Sequence, residues 1–156
     1  MAAIWRDLGK KQEINLVDYI KNYLVEKPET KLFIGTDSQR RANKVAYATV
    51  IVLYNDRKGG KVLYTKEVVP AIKDNFIRLF REIELSLEIA NELCKEGIEQ
   101  RLMAIDLDYN EDKRYFSNKL LTSALGWATS LGYTCRTKPF SVAASYASDK
   151  LVKGLI

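Results

Sequence analysis

The stretch Lys31-Leu32-Phe33-Ile34-Gly35-Thr36-Asp37 contains an apolar run, Leu32 to Thr36, that an acid ends, and this run is the strongest indication of the fold. A continuous run of this kind is typical of a buried strand, where an ionised side chain is expensive to place without a partner. Three further acids stand in comparable positions: Glu82 in an amphipathic helix, Asp108 after a second apolar run, and Asp149 near the C-terminus. Four acids on successive elements indicate a shared divalent metal.

The pattern on either side of this run predicts an α/β fold. Apolar residues at helical spacing predict helices over 14–25, 74–96, 117–131 and 141–153, and β-branched or apolar runs predict strands over 31–36, 45–54, 61–69, 102–107 and 133–137. Three antiparallel strands followed by two strand-helix units build a mixed five-stranded sheet, flanked by helices, whose first and fourth strands are adjacent and parallel. We expect a single domain over 31–156, preceded by a helical extension over 1–30.

Composition limits the classes of function. The 156 residues include no histidine, which excludes histidine-based triads and most catalytic zinc sites. The net charge of +5 is compatible with a nucleic-acid partner and equally with a solvated basic surface. No apolar stretch is long enough to span a membrane and no signal peptide begins the chain, so we expect a cytoplasmic protein.

The predicted helix over 74–96 turns Glu82 inward. On a helical wheel, Glu82 shares one stripe with apolar and small residues, namely Leu79, Ile83, Ser86, Ile89, Ala90 and Leu93. The alternative is a boundary residue paired with Arg78, four positions earlier. In the strand over 102–107, alternation places Asp106 and Asp108 on one face, so either is a candidate ligand. Asp149 follows the predicted N-cap Ser141 by eight residues and can approach the other acids from the last helix; the alternative is a solvent-facing acid beside Lys150.

Several short strings together resemble the YkuK family of ribonuclease H-like proteins. They are Ile34-Gly35-Thr36-Asp37-Ser38-Gln39, Arg78 to Glu82 with Ser86, Asp108-Tyr109-Asn110, Gly126-Trp127 with Leu131-Gly132-Tyr133, and Lys138-Pro139 followed by Ala144-Ser145 and Ala147-Ser148-Asp149. The resemblance covers about 31–153 and implies a ribonuclease H-like domain with an acidic metal site. The family pattern often has a histidine two residues before Asp108, where this chain has Asp106.

Such a site would support hydrolysis of phosphodiester bonds with two Mg²⁺ or Mn²⁺ ions about 4 Å apart, so we expect a metal-dependent nuclease. The roles of the acids follow from resemblance to ribonuclease H-like nucleases. Asp37 would bridge both ions, Glu82 and Asp108 would complete one site, and Asp149 would complete the other. Candidate substrate-binding groups are Ser38, Gln39, Asn110 and Lys138, although Lys138 also fits an ordinary surface lysine before a turn.

Two other classes of function stay open. One is a catalytically inactive ribonuclease H-like module that binds nucleic acid, and the other is a protein-interaction module. In the latter, the N-terminal amphipathic helix would supply the contact of a homodimer. The sequence does not separate DNA from RNA as a partner, or endonuclease from exonuclease action.

Overall fold

The protein is built on one mixed sheet with helices packed against it. The computed structural model describes residues 3–55, 59–71, 73–107 and 117–137. In chain order the elements are β1 (Trp5–Asp7), β2 (Glu13–Ile14), α1 (Leu16–Glu26), β3 (Lys31–Arg41), β4 (Lys44–Asn55), β5 (Gly59–Pro70), α2 (Asn75–Lys95), a short 3₁₀ helix (Gln100–Leu102), β6 (Met103–Leu107), α3 (Ser117–Ser130) and β7 (Thr134–Thr137). The predicted helix over 141–153 lies outside the described residues.

The sheet has the strand order β2-β1-β5-β4-β3-β6-β7 within the described part of the chain. Strands β3, β4 and β5 are antiparallel neighbours, whereas β6 runs parallel to both β3 and β7. The first and fourth predicted strands are therefore adjacent and parallel, as the sequence indicated. Their register places Gly35 of β3 opposite Asp106 of β6.

The prediction of five strands is wrong, because the N-terminal segment adds two strands and not only a helix. Strands β1 and β2 contain three and two residues, which is too short for an alternating pattern to be visible in the sequence. They exist because β1 pairs with the edge of β5, where Arg6 stands opposite Tyr64. This pairing covers a sheet edge that would otherwise be open.

Helix α1 packs against the same core as the sheet. The side chain of its N-cap Asn15 accepts a hydrogen bond from the backbone N–H of Asp18, and Leu16 and Ile20 are buried. Both side chains belong to one apolar cluster with Leu32 and Ile34 of β3. The apolar stripe of α1 is thus used within the chain.

Helix α2 lies along β3 and carries the central candidate acid. The side chain of its N-cap Asp74 accepts from the backbone N–H groups of Phe76 and Ile77. Its buried residues are Glu82, Ile83, Ser86, Leu87, Ala90 and Leu93. The predicted inward stripe is confirmed for Glu82, Ile83, Ser86, Ala90 and Leu93, whereas Leu79 and Ile89 are only half-buried and Leu87 is buried as well.

Helix α3 packs beside α2 through stacked aromatic rings. The rings of Phe80 and Trp127 lie 5.2 Å apart at an angle of 6°.

Within the described residues, no helix is both long and apolar enough to cross a lipid bilayer.

Candidate active site

Glu82 is a buried carboxylate that contacts the central strand. Its residue is 4% exposed, and Oε2 accepts a hydrogen bond of 2.5 Å from the hydroxyl of Ser38. The contact joins the middle of α2 to β3, 44 residues earlier in the chain. Ser38, predicted as a substrate-binding residue, is therefore a partner of the acid on α2.

Asp37 precedes Ser38 and lies on the other face of β3. The pairing of β3 with β4 is unbroken from Lys31 to Arg41, so neighbouring side chains point to opposite faces. Ser38 faces α2, and Asp37 shares the opposite face with Gly35, which stands beside Asp106. The half-buried Asp37 also accepts a 2.9 Å hydrogen bond through Oδ1 from the backbone N–H of Ser38.

A chain of buried hydroxyls continues from this point under α2. Thr36 Oγ1 lies 3.0 Å from Thr49 Oγ1 and 2.8 Å from Ser86 Oγ. These groups satisfy one another between the sheet and the helix, where water is excluded. The sequence indicates this contact in part, because Ser86 is a polar residue on the inward stripe of the helix and Thr36 is a polar residue at the end of an apolar run.

Arg78 lies one helical turn before Glu82 and also contacts Ser38. Its Nη1 donates to Ser38 Oγ at 3.3 Å, while its Nε is buried and has no hydrogen-bond partner among the described residues. Tyr47 of β4 makes a long contact of 3.5 Å from its hydroxyl to the backbone carbonyl of Arg78. Burial raises the pKa of Tyr47, and the negative charge of Glu82 raises it further.

Asp106 is held by a cation from the neighbouring strand. Arg136 of β7 donates from Nε to Oδ1 and from Nη2 to Oδ2, both at 2.7 Å. The guanidinium lies over the ring of Phe33, 3.7 Å from the centroid. Burial and the adjacent Asp106 charge raise the pKa of the Cys135 thiol to about 11. The sequence did not point to Arg136, because its partner Asp106 is 30 residues away and no local pattern links the two residues.

The other predicted site residues are only partly covered. Gln39 is half-buried in β3 opposite Ala46. Asp108, Asn110, Lys138 and Asp149 lie outside the described residues. Among the residues that the structure describes, no group of three or more His, Cys, Asp or Glu side chains is arranged to hold a metal. Of the predicted acids, the described geometry thus covers Asp37, Glu82 and Asp106.

The family model for ribonuclease H-like proteins matches residues 15–153. The chain belongs to the ribonuclease H-like family. The match begins at Asn15, the N-cap of α1, so β1 and β2 both precede the ribonuclease H-like region. No curated protein matches the chain. Within the ribonuclease H-like region, the parallel contact of β3 with β6 is the element that brings the Asp37 and Asp106 segments together.

Proposed function

We propose that this ribonuclease H-like protein is a divalent-metal-dependent nuclease of the YkuK type. The observation that carries the proposal is Glu82, an almost fully buried acid in contact with the Asp37-Ser38 segment of the central strand. A carboxylate in such a place is costly unless charge or hydrogen bonds compensate it. Ser38 supplies one such hydrogen bond, and a cation bound beside Glu82 would add the compensating charge in the active protein.

The proposed metal is Mg²⁺ or Mn²⁺, because the donors are carboxylate oxygens and the whole chain lacks histidine. Asp37, Glu82, Asp108 and Asp149 are the residues that would hold the ions. Bound ions would supply Lewis-acid activation of the attacking water and stabilisation of the leaving oxygen. The acids of the chain would hold the ions in place for this chemistry.

Of the two acids at the end of β6, we assign the metal to Asp108. Both oxygens of Asp106 already accept hydrogen bonds from Arg136, so a cation there would have to displace a bidentate guanidinium. Asp108 stands one residue after the last residue of β6, Leu107. Asp106 then serves to hold β6 and β7 together beside the metal ligands.

The test is calorimetric titration of Mn²⁺ into the wild type, Asp37→Asn and Glu82→Gln. Glu92→Gln is the matched control, because Glu92 lies on the exposed side of the same helix. We expect both site variants to bind Mn²⁺ at least tenfold more weakly and the control to equal the wild type. With saturating metal, the wild type should cleave a member of a panel of labelled single-stranded, duplex and hybrid oligonucleotides. A Glu82→Gln protein that binds and cleaves normally would refute the proposal.

One observation favours a second function, a nucleic-acid-binding or protein-interaction module without turnover. Both nearly fully buried acids of the described site have protein partners, Ser38 for Glu82 and Arg136 for Asp106. If the wild type binds oligonucleotides without a metal requirement and cleaves none of them, its function is that of a nucleic-acid-binding module. If it binds neither metal nor oligonucleotide, the interaction module is favoured.

A further inference from the structure

Arg78 is a charged side chain whose donors are poorly used in the structure. Its guanidinium makes one hydrogen bond to a neutral hydroxyl, Ser38 Oγ, at 3.3 Å. This distance is long for an N–H···O bond, and Nε is buried without any partner among the described residues. An arginine normally fills its planar set of donors with carboxylates, carbonyls or phosphates.

Two other arginines of the described part of the chain show the usual arrangement. Arg81, three residues further along α2, lies 3.0 Å from Glu88 and 3.6 Å from Glu84. Arg136 is bidentate on Asp106. Among these three, the guanidinium of Arg78 is the one that is hydrogen-bonded to a hydroxyl and not to an acid. Among the described residues, no ion pair of the usual kind accounts for the position of this guanidinium beside the buried Glu82.

The backbone of Arg78 is fixed, so that its side chain is the part that can change partners. Residue 78 lies in the first turn of α2, where its N–H donates to the carbonyl of the N-cap Asp74. The backbone carbonyl of Arg78 is approached by the hydroxyl of Tyr47, which lies on β4. The side chain is half-buried, and it points with Glu82 toward Ser38 from the same side of the helix.

We propose that Arg78 is the residue of this site that binds a non-bridging oxygen of the substrate phosphodiester. The proposal rests on the nuclease function proposed above. In the free protein Arg78 donates to Ser38, which in turn donates to Glu82, and this relay places positive charge near the buried acid. When substrate binds, the guanidinium turns from Ser38 to the phosphate and remains protonated throughout. A phosphate offers two charged oxygens that can accept parallel hydrogen bonds from one guanidinium, whereas the Ser38 hydroxyl offers a single neutral oxygen.

The experiment measures fluorescence anisotropy of a labelled single-stranded oligodeoxynucleotide and its duplex, with Ca²⁺ present, at several salt concentrations. The proteins are wild type, Arg78→Gln, Arg78→Lys and the control Arg81→Gln, which removes a charge from the same helix. We expect Arg78→Gln to raise Kd about tenfold. The slope of log Kd against log salt concentration should decrease by about the amount that one phosphate contact contributes. Arg78→Lys should keep the salt dependence and lose part of the affinity, and Arg81→Gln should lose less than about twofold.

A parallel Mn²⁺ titration separates the phosphate contact from general damage to the site. Arg78→Gln should bind Mn²⁺ as tightly as the wild type does and should keep its circular dichroism spectrum. The inference is overturned if wild type binds the probe and Arg78→Gln binds it equally, or if Arg78→Gln and Arg81→Gln lose affinity to the same degree. A wild type that binds metal but neither oligonucleotide would overturn the proposed function itself, together with the role of Arg78.

Discussion

Arg136 and Asp106 form a two-point ion pair across adjacent parallel strands. They stand directly opposite in the β6–β7 register, and two hydrogen bonds of 2.7 Å join them. The side chain of Asp106 is fully buried, and that of Arg136 is 28% exposed and covers the ring of Phe33. One of the candidate metal ligands is thereby neutralised by the protein at the edge where the other candidate acids are expected.

Removing the cation of this pair should destabilise the fold. We expect Arg136→Met to lower the free energy of unfolding by about 3 kcal/mol, because it leaves a buried carboxylate without its partner. Arg101→Met is the control, since Arg101 pairs with Glu99 at a surface where their side chains are 74% and 58% exposed, and should lose less than about 1 kcal/mol. Urea denaturation measures both. A double variant, Asp106→Leu with Arg136→Met, should be more stable than Arg136→Met alone, and an equal or larger loss would contradict this explanation.

Asp106 should be dispensable for metal binding. Since both of its oxygens already accept hydrogen bonds from Arg136, we expect Asp106→Asn to weaken Mn²⁺ binding much less than Asp108→Asn does. Asp108→Asn should reduce the affinity by at least about tenfold. Calorimetry on the two variants, which differ in position by two residues, decides the assignment. The reverse order would make Asp106 the ligand.

The hydroxyl chain of Thr49, Thr36 and Ser86 should behave as one unit. Ser86→Ala removes one member and should lower the free energy of unfolding by about 1–2 kcal/mol, because Thr36 loses a buried partner. Replacing all three, as Thr49→Val, Thr36→Val and Ser86→Ala together, should cost less than the sum of the single changes. Urea denaturation gives the four values. Ser130→Ala, which removes an exposed hydroxyl, is expected to stay within about 0.5 kcal/mol of the wild type.

The cap of α2 should matter for stability because this helix carries Arg78 and Glu82. Asp74→Ala removes the acceptor for the N–H groups of Phe76 and Ile77 and should lower the free energy of unfolding by about 1 kcal/mol. Asp74→Ser restores an N-cap oxygen and should recover most of the loss. Thermal unfolding followed by circular dichroism compares the three proteins. An Asp74→Ser variant as unstable as Asp74→Ala would show that the charge, and not the cap, is what stabilises this end.

Alkaline pH should weaken the fold through Cys135. Burial and the charge of Asp106 raise the pKa of its thiol from 9.0 to about 11 in the folded chain. Between these values the folded state keeps the proton and the unfolded chain releases it, so stability falls as pH rises from about 9 to about 11. The free energy of unfolding of Cys135→Ala should fall less steeply with pH over this interval. Tyrosines with raised pKa, such as Tyr47, are present in both proteins and cancel in the comparison. Parallel slopes would refute the assignment to Cys135.

The sequence by itself determined the central architecture. Strands β3, β4 and β5 are long enough to show their apolar runs, and α2 spans nearly six helical turns, over which the period of an inward stripe is clear. That period places Glu82 on the inward stripe, and its burial in the structure decides against a boundary residue paired with Arg78. The adjacent, parallel arrangement of β3 and β6 follows from the order of the elements and the handedness of crossover connections.

Tertiary structure decided the contacts that make up the site. Alternation assigns Asp37 and Ser38 to opposite faces of β3, but which face α2 covers depends on packing, and it is Ser38 that meets Glu82. Arg136 and Asp106 are 30 residues apart, and a pair at that separation leaves no local pattern in either strand. The two short strands β1 and β2 arise from pairing with β5, since segments of three and two residues contain no period of their own. Local periodicity encodes elements and their faces, whereas partners across the sheet are fixed only when those elements pack.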